Sequence, residues 1–257
     1  MEQITAQAPF FMLVFIRLSA FIAFVPFFND QNYIMPIKVG FAFFISLLLF
    51  PTINTTYWNI PNNLPGFIWV VTGEIMIGIF MGLVFLIFLF ALQLAGRVLG
   101  FQMAFSMATV VDTTFGSNAN VLSVMMVLVG TMIIVSLGGD HYLLYSLNRS
   151  FEHLAPGTFL INRNVLDELS RMMIHSFDIG FRLAAPAVIL LICVDLTLGL
   201  IGKTASKMQI FFVGLPLKIS MGLFSFGLIL GFVITIWSKD ISRFPEYFIR
   251  FFRLMRI

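Results

Sequence analysis

The sequence is poor in the side chains with which soluble enzymes do chemistry. One cysteine, three histidines, 15 basic and 12 acidic residues are spread over 257 positions. Cys193 has no second cysteine to pair with, and no cysteine or histidine spacing matches a structural zinc site. A free cysteine inside an apolar run is expected to be buried as a small hydrophobe. No Walker loop, paired-histidine metal motif or nucleophile elbow occurs. No catalytic residue, cofactor or metal is therefore assigned, and the chain reads as a non-enzyme. His141, His153 and His175 lie near the edges of apolar segments, where a solvated or interfacial imidazole is expected. A formal net charge of +3 gives no case for nucleic-acid binding.

What the chain has instead is apolar surface. Hydrophobic residues make up 60% of it and charged residues 11%, and the mean hydropathy is +1.00. Soluble domains average about 45–50% apolar and about 25% charged residues. Lipid or tightly packed partner subunits must cover the excess. Six segments approach the roughly 20 apolar residues that a spanning helix needs: 8–28, 37–53, 66–96, 121–147, 176–201 and 210–237. The third would reach roughly 46 Å as one straight helix, more than a hydrocarbon core of about 30 Å. It is expected to tilt, break or project. The first begins behind Glu2, with neither a basic leader nor a small-x-small cleavage site, and is expected to be retained.

Turn residues punctuate the connections. Pro26 and Asn29-Asp30 close the first segment, and Pro36 opens the second. Pro156-Gly157 sits in the longest polar region, about 148–175, where Asp167 to Met173 fits a short amphipathic helix. Gly78-x-x-x-Gly82, Gly96-x-x-x-Gly100 and Gly227-x-x-x-Gly231 would each let two backbones approach closely, although 19 glycines make such spacings easy to meet by chance. Arg149, Arg163, Arg171, Lys239, Arg243, Arg250, Arg253 and Arg256 outnumber Arg97, Lys203 and Lys207 on the opposite side. The positive-inside rule then puts the C-terminus in the cytoplasm. The tail from Ser238 to Ile257 mixes aromatics with arginines, as an interfacial helix does.

Five charges fall inside apolar segments: Arg17, Glu74, Arg182, Asp195 and Lys218. A charge at mid-bilayer costs about 2.5–3.5 kcal/mol even on the lenient insertion scale. Each is expected to meet an opposite charge, a carbonyl or water. They could line an ion or proton path, or act as polar glue between helices or subunits. Two acids and no Asp/His/Glu chain favour glue.

The stretch GRVLGFQMAFSMATVVDTTFGSNAN, Gly96 to Asn120, is too polar at its end for a lipid-facing helix. Its Phe and Met residues make it too apolar for a plain water loop. Irregular backbone at membrane depth survives only where protein or a cavity covers it. A loop tucked into a pore satisfies both constraints, and an ordinary interfacial loop is the plainer alternative.

Ala95-Gly96-Arg97-Val98-Leu99-Gly100-Phe101-Gln102-Met103, followed by Ala108 and Val111-Asp112, resembles the central signature of the FliR family of flagellar biosynthesis proteins. Gly139-Asp140-His141, Ser150-Phe151, Pro156-Gly157, Ala185-Pro186, Asp195 with Gly199, and Val213 to Ile219 continue the resemblance in order, and Arg17 with Pro26 and Pro36 to Gly40 match its N-terminal pattern. Thr113 and Ser206-Lys207 stand where the family usually has proline and Pro-Gln. The resemblance implies an all-α, membrane-associated set of helical hairpins, some kinked or broken, in a single domain over 1–257. An N-terminal unit of roughly 1–147 would carry a plug loop at 105–118, and a C-terminal unit would run from 148 to 257. It further implies a type III export gate in the bacterial inner membrane, within the flagellar basal body. FliP-like and FliQ-like subunits and a FlhB-like protein would be partners, and unfolded export substrates would pass through. In the plug, which includes Asp112, the residues Phe105, Ser106, Met107, Ala108, Val110, Val111 and Phe115 would fill the lumen, and Gly116, Ser117 and Asn118 would let the loop move. A virulence-secretion gate, a small-solute secondary transporter and an assembly factor are the other readings.

Overall fold

The computed structural model describes residues 2–24, 35–55, 58, 61, 63–104, 120–159, 162–204, 210–242 and 244–255. Among these, the regular structure is helical: α1 (Glu2–Phe24), α2 (Met35–Leu49) with a 3-10 turn at Phe50–Thr52, α3 (Leu64–Gln102), α4 (Val121–Ser136), α5 (Gly139–His153), α6 (Arg163–Thr204), α7 (Ile210–Ser242) and α8 (Phe244–Met255). Five helices are long and apolar enough to cross a membrane, or six if α4 and α5 together count as one span. The expected turn at Pro26 and Asn29-Asp30 lies outside the described residues, as does Ser206-Lys207.

The long helices exceed the expected ones. α3 has 39 residues and α6 has 42, so each is roughly 60 Å long at the α-helical rise. The short amphipathic helix expected at Asp167 to Met173 is the first part of α6, because no glycine or proline interrupts the chain between Arg163 and Asp178. The expected span 121–147 is two helices instead. Gly138, at φ +71°, ends α4 in the left-handed conformation that glycine adopts without a Cβ clash, and α5 restarts at Gly139. Arg97, expected in a loop, lies within α3.

The contacts group the chain into two compact units that interleave in sequence. The first holds Met1–Phe88, Gly138–Met172 and Arg243–Ile257. In it α1 packs on α2 and α5 packs on α8. Leu13, Leu18, Ile77, Met81, Phe85 and Phe251 are among its fully buried side chains. Phe248, Phe251, Phe252 and Met255 put the apolar face of α8 inside the protein. That face is not available to lipid, contrary to the expected interfacial tail. The amphipathic pattern fixes that α8 has an apolar face, and the tertiary structure fixes what covers it.

The second unit holds Leu89–Leu137 and Met173–Ser242, with α4 packed on α7. Leu92, Leu99, Met126, Leu191, Val233 and Trp237 are buried there. Coverage is uneven: 56% of α3's apolar window is buried, against 17% of α6's and 11% of α2's. The core is therefore built on α3, while α2 and α6 present apolar surface outward. Cys193 lies on that uncovered part of α6 and is exposed, not buried as expected.

Two of the three glycine pairs sit at close helix approaches. A Cβ on Gly78 would stand 2.5 Å from the Arg17 carbonyl oxygen and 2.6 Å from Ala20 Cβ, so α1 and α3 touch backbone to backbone there. A Cβ on Gly96 would stand 2.5 Å from Ser123 Cα. Gly227 and Gly231 face open space within this chain. Gly78→Ala is therefore expected to cost about 1–3 kcal/mol by overpacking. Thermal unfolding of the full chain in mild detergent should show a lower Tm for Gly78→Ala and an unchanged Tm for Gly231→Ala. Equal Tm values would contradict the close α1–α3 approach.

Candidate functional site

Arg17 on α1 and Glu74 on α3 are both completely buried. The approach at Gly78, one turn from Glu74, brings the two helices close enough for the side chains to meet. Arg17 Nε donates to Glu74 Oε2 at 2.6 Å and Nη2 donates to Oε1 at 2.9 Å, a bidentate fork. The remaining donors reach the segment around the end of α5. Nη1 donates to Ser150 Oγ at 3.0 Å, and Nη2 to the Leu154 carbonyl at 2.9 Å. Ser150 passes its own proton to the Leu147 carbonyl at 2.6 Å. The guanidinium lies 4.0 Å from the centre of the Phe151 ring, and Trp58 stacks on the same ring with centroids 5.8 Å apart. A buried charge is tolerable only when paired and hydrogen-bonded. Here one guanidinium ties α1, α3 and α5 together and leaves neither charge alone.

The other charges singled out from sequence are placed differently. Lys218 Nζ on α7 lies 2.5 Å from Asp195 Oδ1 on α6, with the lysine 23% and the aspartate 42% exposed. This pair links two helices of the second unit at its surface. Arg182 is not buried: its side chain is 74% exposed and pairs with Asp178 on the same helix at 2.9 Å. The apolar run around Arg182 misled, because the face of α6 that it occupies has no cover within this chain.

The plug residues Phe105 to Asn118 lie outside the described residues. The structure does describe the points where the chain leaves and returns. Met103 is buried and Ala104 turns away at φ +59°. At the return, Asn120 Oδ1 accepts from the Leu122 N–H at 3.0 Å and caps α4. Asn120 Nδ2 donates to the Arg97 carbonyl at 3.4 Å, and Ser123 Oγ donates to the Gln93 carbonyl at 3.1 Å. Gly100 sits directly against the Asn120 side chain, where a Cβ would clash. The two ends are thus clasped side by side on the last turns of α3. A cleft of about 540 Å³ opens beside the clasp, lined by Gln93, Arg97, Asn120 and Ser123 with three apolar residues of α4.

Sequence reasoning missed Ser150, Glu168 and Asn120. Glu168 is buried on α6, ion-paired with Arg250 Nε on α8 at 3.1 Å and accepting from Arg171 Nη1 at 3.4 Å. Glu168 follows the buried Val165 by three residues, so it falls on the inward stripe of the helix. Asn120 carried a signal, as an N-cap residue directly before an apolar run. His141 is exposed beside Asp140, and His153 stacks on Phe252.

Removing one member of the buried pair strands the other. Glu74→Ala is expected to cost about 3–5 kcal/mol, and the apolar double replacement Arg17→Met/Glu74→Leu to recover most of it. Unfolding of the purified chain in detergent measures both. A single variant as stable as the parent would remove the pair from its structural role.

The family model described as bacterial export proteins, family 1, matches residues 8–244. The chain is 31% identical to the flagellar biosynthetic protein FliR of Bacillus subtilis over 229 residues, covering 86% of each chain. It is 27% identical to the flagellar biosynthetic protein FliR of Caulobacter vibrioides over 237 residues, covering 92% of this chain and 94% of that one. It is also 27% identical to the secretion system apparatus protein SsaT of Salmonella typhimurium, over 149 residues and 58% of each chain.

Proposed function

The chain belongs to the bacterial export proteins, family 1, and on that premise we propose that it is a component of the flagellar type III export apparatus, supplying part of its protein-conducting gate. The flagellar reading is supported by relatives named flagellar biosynthetic protein that align along most of the chain. The similarity to a secretion system apparatus protein over 58% of the chain supports a virulence-secretion gate as the second reading. Restoration of motility by this chain in a strain lacking its flagellar relative separates the two.

In this reading the protein is embedded in the inner membrane within the basal body. It assembles with FliP-like and FliQ-like subunits and a FlhB-like protein, and unfolded substrates cross beside it. The uncovered apolar surface of α2 and α6 is what such neighbours or lipid would bury. Its work would be mechanical rather than catalytic: wall, seal and release. Arg17, Glu74, Arg182, Asp195 and Lys218 would hold helices or subunits in register, Arg182 from an outward face.

The observation that carries the seal is the clasp at Asn120. A loop that must block a pore and yield to a substrate needs ends that stay fixed while its middle moves. Asn120, Gly100 and the Arg97 carbonyl supply that fixed base. From it, the segment containing Phe105 to Asn118 would reach into the lumen as the plug.

Deleting Met107 to Gly116 should leave the complex assembled and make it conduct ions in a planar bilayer. Asn120→Ala should leak less than the deletion and more than the parent. A fully assembled deletion complex that stays tight would sink the plug. Asp195→Ala should lower recovery of partner subunits without raising conductance, and normal recovery would count against its role in assembly. The mass of the purified particle also discriminates: a secondary transporter would be a monomer or small homo-oligomer, and an assembly factor would be missing from the mature complex.

A further inference from the structure

The buried pair at Arg17 and the clasp at Asn120 leave one charged cluster unused, on the opposite face of α8. Within the first unit, Glu168 holds two arginines on its two oxygens: Arg250 Nε at 3.1 Å and Arg171 Nη1 at 3.4 Å. The carboxylate is 7% exposed, while Arg250 is 61% and Arg171 67% exposed. One buried acid therefore anchors two guanidiniums whose side chains are otherwise mostly exposed. Arg253, also exposed, lies three residues beyond Arg250 on the same face of α8 and makes no ion pair among the described residues. The acids nearest in sequence are Asp167 on α6 and Glu246 on α8, both exposed and neither paired with these arginines. The cluster of three arginines and one glutamate keeps an excess of positive charge.

We propose that Arg171, Arg250 and Arg253 form a binding site for the phosphate of an anionic phospholipid headgroup. The chemistry is that of guanidinium forks on phosphate, where planar donors are pre-aimed by a fixed carboxylate. The lipid source follows from where α8 sits in the chain. It comes directly after α7, which is long and apolar enough to cross a membrane, and its arginine-rich tail lies on the side that the positive-inside rule assigns to the cytoplasm. Basic clusters next to spanning helices on that side meet an anionic leaflet. Because its apolar face is taken up by α5, the face that α8 leaves for a membrane surface is its basic one. The site stands independently of which secretion branch the chain serves.

The test uses the full chain, purified in mild detergent and placed in nanodiscs of phosphatidylcholine alone or mixed with phosphatidylglycerol. Lipid retained by the chain is read by native mass spectrometry after release. The parent should retain phosphatidylglycerol in preference to phosphatidylcholine, and Arg253→Gln should lower that preference about fivefold, as expected for one arginine at an anionic surface. Arg250→Gln/Arg253→Gln should lower it further, and Arg250→Lys/Arg253→Lys should keep most of it. Arg253→Gln breaks no ion pair among the described residues, so it separates a lost site from a lost fold. An unchanged preference in Arg253→Gln and in the double glutamine variant would overturn the proposal. So would displacement of the lipid by millimolar inorganic phosphate, which would mark a free-anion site. Loss of partner subunits from the double variant with lipid retention intact would mark a protein-docking face, and would also overturn it.

Discussion

A guanidinium cannot be left in an apolar interior without a full set of acceptors, and that constraint organises the first unit. Arg17 uses its fork on Glu74 and its remaining donors on Ser150 and Leu154. Three helices far apart in sequence are thereby held at one point. The close approach at Gly78 is its geometric complement, since a side chain there would push α1 off α3. A purely apolar contact among these helices could slide by a turn with little change in buried area. A buried bidentate pair cannot, because a slip would strand both charges.

The second constraint is the shortage of cover. α6 and α2 carry apolar side chains on faces that nothing in the chain protects. In a soluble protein this would be an aggregation hazard. In a chain of export-protein ancestry with helices long enough to span, it is surface that something outside the chain has to cover. The helices of roughly 60 Å also exceed one bilayer core, so part of their length must lie beside protein or outside the hydrocarbon. Gly227 and Gly231 on α7 likewise face open space within the chain.

The residues that sequence flagged were charges in apolar runs, and two of them, Arg17 and Glu74, turned out to be each other's partner. Nothing in one dimension could have matched them. Positions 17 and 74 share no spacing rule, and Glu74 was as compatible with Arg182 or Lys218. Arg182 shows the converse: an apolar neighbourhood in sequence did not make its position buried. Glu168 was hidden in a polar region, where one acid on the inward stripe looks like any other solvated charge. Cys193 was misjudged for the same reason as Arg182, since both lie on α6 where cover has to come from outside the chain.

The sequence by itself determined the class of the molecule. Its hydropathy, the lengths of its apolar runs and the order of its short motifs sufficed for a helical membrane chain of the export family, because each is a property of residues near one another. Only the tertiary structure decided that the run 121–147 breaks at Gly138, that α8 turns its apolar face inward, and which charge meets which. Those outcomes depend on contacts between segments far apart in sequence, as at Arg17 and Leu154, 137 residues apart. Local pattern states that a face or a charge must be covered. Which segment covers it is settled by the packing of the whole unit.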